Sequence, residues 1–77
     1  MTINEIVKQA EGLITQTQSR EYLDWMRSHY LGKTGMLVSE LNRLDQYPLA
    51  ERGAVGLEIA RARKTISTLI NKKRKIL

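Results

Sequence analysis

The feature that most constrains this chain is its single proline, Pro48, which separates two stretches of equal length and similar hydrophobic spacing. Residues 19–46 and 49–76 are each 28 residues long, and each would measure about 42 Å as an α-helix. Proline disfavours a helical residue immediately before it and suits the first turn of the helix that follows. Because only Tyr47 and Pro48 connect the two stretches, they are predicted to form an antiparallel helical hairpin.

Apolar residues repeat every seven positions along the first arm of this hairpin. Seven residues bring a straight α-helix to within about 20° of two full turns, so the members of such a repeat share one face. The repeat keeps its phase past Gly32 and Gly35, although each glycine costs a helix about 1 kcal/mol relative to alanine. The pattern therefore predicts one helix over residues 19–46, with at most a kink at 32–35. The repeat consists of Leu23, Tyr30, Leu37 and Leu44, with Met26 and Leu41 between them.

The second arm, residues 49–76, carries the most regular pattern in the chain. Its apolar residues alternate in spacings of four and three, which is typical of a coiled-coil seam, and Lys73 is the one polar member. The seam is Val55, Ile59, Ala62, Ile66, Leu69, Lys73 and Ile76.

A shorter helix is predicted before the hairpin, over about residues 3–17. Thr2 and Glu5 have the spacing of a capping box, and Ser19 is a candidate N-cap for the next helix. The apolar face of the helix over residues 3–17 consists of Ile3, Ile6, Val7, Ala10, Leu13 and Ile14. The predicted fold is all-α: a single domain over residues 1–77, built as a long antiparallel coiled-coil hairpin with a shorter N-terminal helix packed near its open end.

Positive charge is concentrated in the second arm. Residues 1–51 contain five Lys/Arg and seven Asp/Glu, whereas residues 52–77 contain eight Lys/Arg and one acid, Glu58. A basic half-chain points to a polyanionic partner, which could be nucleic acid, an anionic membrane surface or an acidic protein face. A solvated helix surface whose excess charge keeps the protein in solution is the structural alternative.

The hairpin geometry places these cations, since residues equally distant from the turn should face each other. Glu21 and Asp24 fall opposite residues 71–74, so the run Lys72-Lys73-Arg74-Lys75 is expected to be partly neutralised. Fewer acids lie near the middle of the hairpin. The phosphate-binding surface is therefore predicted at the middle and the tip, and its residues are Lys33, Arg43, Arg52, Arg61, Arg63 and Lys64.

The side chains that catalysis requires are not arranged for it. The chain has no cysteine and one histidine, His29, which lacks a carboxylate partner at helical spacing. The segment Gly32-Lys33-Thr34-Gly35 lacks the additional upstream glycine of a Walker phosphate loop. Tyr22, Trp25 and Tyr30 are expected in the core or at its rim rather than as a platform for bases. No catalytic, metal-binding or cofactor-binding residue is therefore predicted in this chain.

A soluble, cytoplasmic protein is expected. The longest apolar run is the three residues Met36-Leu37-Val38, whereas a membrane-spanning helix needs about 20. Residues 1–16 lack the basic start and the apolar stretch of a secretory signal. A basic amphipathic surface for anionic membranes is disfavoured, because the apolar seam is needed inside the hairpin.

Two segments resemble a known family. Tyr30-Leu31-Gly32-Lys33-Thr34-Gly35 resembles the Tyr-Leu-Gly-Lys-Lys-Gly segment near the start of bacterial phenylalanyl-tRNA synthetase alpha subunits. Downstream, Pro48-Leu49-Ala50-Glu51-Arg52, followed by Gly56, Ile59 and Arg63, is similar to the family's Pro…Glu-Arg…Gly-x-x-Ile-Asn-x-x-Lys/Arg run. The spacing between the two segments also matches, and the resemblance covers essentially the whole chain.

This resemblance implies a tRNA-binding arm. In the family the region is a coiled coil that projects from a class II catalytic core and holds the body of the phenylalanine tRNA. The parent enzyme is an α2β2 assembly that uses ATP and magnesium. None of the core's motifs occurs here, so the chain resembles a separated domain that catalyses nothing by itself. Its implied partners are this tRNA, the catalytic core and the beta subunit, with no membrane and no DNA.

Three positions depart from the family pattern. Thr34 replaces the second lysine, Gly53 stands where proline is usual, and Ala60 replaces the asparagine. The loss of a lysine and an asparagine removes polar contacts, which bears on the strength of tRNA binding and not on the fold.

The expected function is to position tRNA by contacts to its phosphate backbone, for aminoacylation by a catalytic core absent from this chain. The alternative is a basic coiled-coil protein-interaction module, which would dimerise or bind an acidic partner. Lys73 in the seam argues against an extended homodimer.

Overall fold

The computed structural model describes residues 2–77 of the chain, and Met1, which the predicted domain includes, lies outside the described residues. The described part is all-α, as predicted, and contains no strand. It is an elongated molecule of 43 × 18 × 17 Å, about as long as its longest helix. Its elements are α1 (Ile3–Gln16), α2 (Arg20–Leu31), α3 (Met36–Asn42), a 3₁₀ helix (Leu44–Gln46) and α4 (Leu49–Ile76).

The helical hairpin is confirmed. The first arm consists of α2, α3 and the 3₁₀ helix, all of which pack against α4, the second arm. The short helix α1 also packs along α4 and runs in the same direction. At its start, Ile3 and Val7 line a groove together with Glu58 and Ala62, and near its end the Thr15 carbonyl accepts a hydrogen bond from Lys73. The first helix therefore covers the hairpin from its middle to its open end.

Both predicted N-caps are confirmed. The Glu5 amide donates to Thr2 Oγ1 at 3.1 Å, and the Tyr22 amide donates to Ser19 Oγ at 3.1 Å. In a capping box the Glu5 carboxylate would accept from the Thr2 amide, whereas here the Thr2 hydroxyl donates to that carboxylate. Each cap satisfies one of the amide groups that a helix start leaves without a partner, and this fixes where α1 and α2 begin.

The prediction of one continuous helix over residues 19–46 is wrong. The helix α2 ends at Leu31, and Gly32 and Gly35 have ψ angles of 173° and 171°, which are extended values. A turn closes the gap through a hydrogen bond from the Gly35 amide to the Gly32 carbonyl, at 2.9 Å. Because this compact turn occupies about one helical turn, Leu37 returns to the core in phase with Tyr30, and both are fully buried. The apolar repeat therefore continues through the turn, although the helix ends before it.

The interruption leaves the register of the hairpin in agreement with the prediction. Ser28 and Leu31 line a depression with Ser67 and Lys64 of α4, which are the residues that a symmetric hairpin places opposite them. Asp24 pairs with Arg74, which lies within the range 71–74 expected to face it.

The core contains most of the predicted residues and one that the pattern missed. Ile70 is completely buried, whereas Leu41 and Ile76, expected in the core, are 43% and 77% exposed. α4 packs against α1 as well as against the first arm, so it buries more than the single seam of a two-helix hairpin, and Ile76 is the last residue of this helix. The buried residues are Ile3, Ile6, Ala10, Ile14, Leu23, Met26, Tyr30, Leu37, Ile59, Ala62, Ile66 and Ile70.

Tyr30 links α2 to α1 from within the core. Its side chain is buried, and its hydroxyl donates to Gln9 Oε1 at 2.8 Å. Burial, with a smaller contribution from Tyr22, raises the pKa of Tyr30 above its ordinary value of 10.0. The folded state thus retains a proton that the unfolded state releases, so this stabilisation is complete below pH 10 and declines as the pH rises further.

Substitution Tyr30→Phe is expected to have opposite effects at neutral and alkaline pH. At pH 7 it removes the hydrogen bond to Gln9 and lowers the free energy of unfolding by about 1 kcal/mol. Above pH 10 the variant should lose stability less steeply than the wild type, because no core phenol remains to ionise. Urea unfolding between pH 7 and 11 measures both effects. Equal alkaline slopes for the two proteins would contradict this account.

Candidate nucleic-acid interface

A cationic groove lies between α2 and α4 near the middle of the hairpin. We call it the α2–α4 groove; it is an open depression with a volume of about 620 Å³. One wall belongs to α2 and the turn after it, and the other to α4. The lining residues are Arg27, Ser28, Leu31, Gly32, Arg63, Lys64 and Ser67.

The charge of this groove comes from Arg27, Arg63 and Lys64. Among the residues described, neither wall contributes a carboxylate. Arg27 Nη2 donates to Asn71 Oδ1 of α4 at 2.6 Å, so a neutral partner holds the guanidinium and leaves its charge uncompensated. The hydroxyls of Ser28 and Ser67 are further donors. Three cations and two hydroxyls held on two helices form a surface suited to an anion such as phosphate.

A second basic depression adjoins it towards the open end of the hairpin. Its lining residues are Arg20, Asn71, Arg74 and Lys75, and Asn71 is also the hydrogen-bond partner of Arg27. Arg74 pairs with the Asp24 carboxylate, which confirms that the basic run at the end of α4 is partly neutralised. Lys73 is also engaged, since its ammonium donates to the Thr15 carbonyl at 2.9 Å. The net charge of this depression is accordingly smaller than its residue content suggests.

The predicted phosphate-binding residues are divided among three parts of the surface. Arg63 and Lys64 lie together in the α2–α4 groove, and the exposed Lys33 directly follows Gly32, which lines that groove. Arg61 lies on the opposite flank of α4, where it lines a separate depression with Glu58 and residues of α1.

Arg43 and Arg52 lie at the tip and are engaged within the protein. The Arg43 guanidinium is 3.7 Å from the Glu40 carboxylate. Arg52 donates to the Tyr47 carbonyl at 3.0 Å and to the Asp45 carbonyl at 2.9 Å. These carbonyls lie in and just after the 3₁₀ helix, so Arg52 closes the turn of the hairpin by satisfying acceptors that a helix end leaves open.

Arg27 is the groove residue that sequence reasoning missed. It follows Met26 directly, beside the apolar stripe that runs from Leu23 to Tyr30. Long cationic side chains at such flanking positions often reach across to the partner helix of a coiled coil. That position was the available signal, but most of the positive charge of the chain lies on α4, so the charge pattern favoured α4 over α2.

The aromatic residues of α2 form a stack on another flank of the helix. The Tyr22 and Trp25 rings are 5.4 Å apart and nearly parallel, and the Trp25 and His29 rings follow at 4.6 Å. Tyr30 is in the core, Tyr22 is half-buried and Trp25 is 51% exposed. His29 therefore packs as a member of this stack. Within residues 2–77, no three His, Cys, Asp or Glu side chains lie close enough together to hold a metal ion.

None of the described helices combines the length and apolar character that crossing a membrane would require.

Comparison with known proteins connects this geometry to a family. The model of a family described as "Aminoacyl tRNA synthetase class II, N-terminal domain" matches residues 18–77. The phenylalanine–tRNA ligase alpha subunit of Idiomarina loihiensis is 35% identical over 77 residues, which are 100% of this chain and 24% of the relative. The same subunit of Proteus mirabilis is 36% identical over 67 residues, 87% of this chain and 20% of the relative.

A third relative, the phenylalanine–tRNA ligase alpha subunit of Colwellia psychrerythraea, is 32% identical over 76 residues, 99% of this chain and 23% of the relative. The chain thus spans less than a quarter of the length of these relatives. No solved structure matches it significantly. Because the family model covers most of the chain and these relatives share one name, the chain belongs to the class II aminoacyl-tRNA synthetase N-terminal domain family, and it is similar to part of phenylalanine–tRNA ligase alpha subunits.

Proposed function

We propose that this domain binds tRNA through its phosphate backbone and positions it for aminoacylation by a catalytic core outside this chain. The observation that carries the proposal is the α2–α4 groove, in which Arg63 and Lys64 of one helix meet Arg27 of the other. Cations fixed on rigid helices can orient a folded RNA without reading its bases, because an A-form backbone presents a regular array of phosphates.

The proposal extends to the parent enzyme. The relatives are named phenylalanine–tRNA ligase alpha subunits, and on that basis phenylalanine tRNA is the proposed ligand of this domain. A catalytic core and a beta subunit in an α2β2 assembly are the proposed protein partners. ATP and magnesium would act in that core, so the domain contributes binding and not a chemical step, and its proposed location is the cytoplasm.

One observation favours a second candidate, a basic coiled-coil protein-interaction module. Leu41, Leu49 and Leu57, in the tip half of the hairpin, are 43%, 78% and 53% exposed, and exposed apolar side chains mark protein contacts where they form a patch. A native mass that doubles with protein concentration, together with no affinity for RNA, would favour this candidate.

Fluorescence anisotropy distinguishes the two functions. Folded phenylalanine tRNA, a noncognate tRNA and duplex DNA are titrated with the domain at low and near-physiological salt. We expect tighter binding to tRNA than to DNA and a steep dependence on salt, since each phosphate contact releases counterions. Absence of tRNA binding at low salt would contradict the proposed function of the domain.

Removal of single cations is expected to weaken tRNA binding in a uniform way. Lys33→Gln and Lys64→Gln should each lower the affinity for several tRNAs by similar factors and reduce the slope of log K against log salt by about 0.7–0.9. Lys8→Gln on α1 is the matched control, because Lys8 is exposed beside Glu11 and away from the groove. Loss of discrimination between tRNAs in any one variant would oppose a mechanism based on phosphates.

A further inference from the structure

We infer that the RNA backbone follows the α2–α4 groove from the middle of the hairpin towards its open end, and that Arg27 binds a phosphate within it. This inference rests on the proposed function and adds the path of the RNA and a residue that the sequence pattern did not indicate. The path excludes the tip of the hairpin, although the tip carries two exposed or half-exposed arginines.

The two basic depressions between α2 and α4 are linked by the hydrogen bond between Arg27 and Asn71. Asn71 lines the depression at the open end and accepts the hydrogen bond of Arg27, which lines the groove at the middle. Lys64 and Lys75 lie eleven residues apart on α4, which is about 16 Å along one side of the helix. A path of this length, with cations at both ends and in its middle, can contact several successive phosphates of one strand.

Arg27 is held in a state ready to bind an anion. Its guanidinium has five N–H donors, and the structure shows one hydrogen bond to a side chain, that of Asn71. Asn71 orients the group without cancelling its charge, which lowers the entropy lost when a phosphate binds. By contrast, the nearby Arg74 already has a carboxylate partner in Asp24.

The other cationic surfaces are less suited to a phosphate strand. At the tip, Arg43 is paired with Glu40, and Arg52 is committed to backbone carbonyls. On the α1 flank of α4, Arg61 shares its depression with the Glu58 carboxylate. A strand of negative charge is therefore complemented best between α2 and α4.

Two pairs of substitutions test the path by tRNA anisotropy at fixed salt. Arg27→Gln is compared with Arg43→Gln, so that the same charge is removed from the groove or from the tip. Asn71→Asp is compared with Asn42→Asp, so that the same carboxylate is added beside Arg27 or near the tip. Lys8→Gln serves as a cation control on α1, and circular dichroism melts establish that each variant is folded.

The expected result is a loss in the groove and not at the tip. Arg27→Gln should weaken tRNA binding by about tenfold, as expected for one charge-assisted hydrogen bond, and Asn71→Asp should do so by a similar factor. The three controls should change the affinity by less than about twofold, because their charges are screened over the distance to the groove. Asn71→Asp gives Arg27 an ionic partner and leaves the arginine in place, so this variant keeps the test valid if Arg27→Gln does not fold.

Each outcome distinguishes this inference from the proposed function. A wild-type domain that binds no tRNA overturns both. A wild-type domain that binds tRNA, with Asn71→Asp and any folded Arg27→Gln variant within twofold of it, overturns the path and leaves the proposed function standing. Equal losses in the groove and tip variants also overturn the path, because they would show that the strand reaches the tip.

Discussion

Ile66→Ala is expected to destabilise the domain by about 2–5 kcal/mol, the range for truncation of a buried aliphatic side chain that leaves a cavity. Ile66 has no exposed surface and lies on α4, against which the first arm and α1 both pack. A domain of 77 residues has a total stability of only about 4–12 kcal/mol. The single change should therefore remove a large part of it and lower the melting temperature by at least about 8 °C.

Leu57→Ala is the matched control for this truncation. Leu57 is on the same helix but is 53% exposed, so its removal creates no cavity, and alanine is the better helix former. Its melting temperature should stay within a few degrees of that of the wild type, as monitored by circular dichroism and urea unfolding. Comparable decreases in melting temperature for Ile66→Ala and Leu57→Ala would mean that the core is not centred on the face of α4 that carries Ile66.

Gly32→Ala and Gly35→Ala should each destabilise the fold by about 1–3 kcal/mol, the cost of forcing an extra atom into a packed site. A Cβ atom at Gly32 would lie 2.5 Å from the Ser28 carbonyl oxygen, and one at Gly35 would lie 2.9 Å from that of His29. Both neighbours are backbone atoms, which cannot move aside as a flexible side chain can. The free energy of unfolding in urea measures the effect.

Two other glycines provide the controls. A Cβ atom at Gly12 or Gly53 would meet nothing within 4 Å, and both residues lie inside helices. Gly12→Ala and Gly53→Ala should therefore stabilise the domain by roughly 0.5–1 kcal/mol. The diagnostic result is a lower free energy of unfolding for Gly32→Ala and Gly35→Ala and a higher one for Gly12→Ala and Gly53→Ala. Destabilisation at all four positions would contradict the steric explanation.

Most of the fold could be predicted from the sequence because its signals are local. Threonine and serine at helix starts, proline at the turn and the repeat of buried residues each act over a few positions. The continuity of the first arm could not be predicted in this way. The apolar repeat from Tyr30 to Leu37 is equally compatible with a helix and with a compact turn of the same length, and only the backbone approach at Gly32 and Gly35 decides between them.

The candidate site was predicted less completely, because its geometry depends on long-range packing. The long side chains of Arg27 and Arg74 reach past the residues directly opposite them, so the backbone register alone does not determine which groups of α2 and α4 meet. Arg63 and Lys64 were expected at the middle of the hairpin, and they lie in the α2–α4 groove. Arg27 was not expected, since its importance comes from Asn71, a residue 44 positions away in the chain.

The position of α1 gives the molecule an uneven cross-section with mechanical consequences. From Ile3, which shares a depression with Val55, to the open end, three helices lie side by side, whereas beyond α1 only two remain. The resistance of a beam to bending rises steeply with its thickness, so we expect the two-helix end to bend more easily than the three-helix end. On the proposed path, a tRNA strand in the α2–α4 groove would lie mainly against the thicker, three-helix part of the molecule.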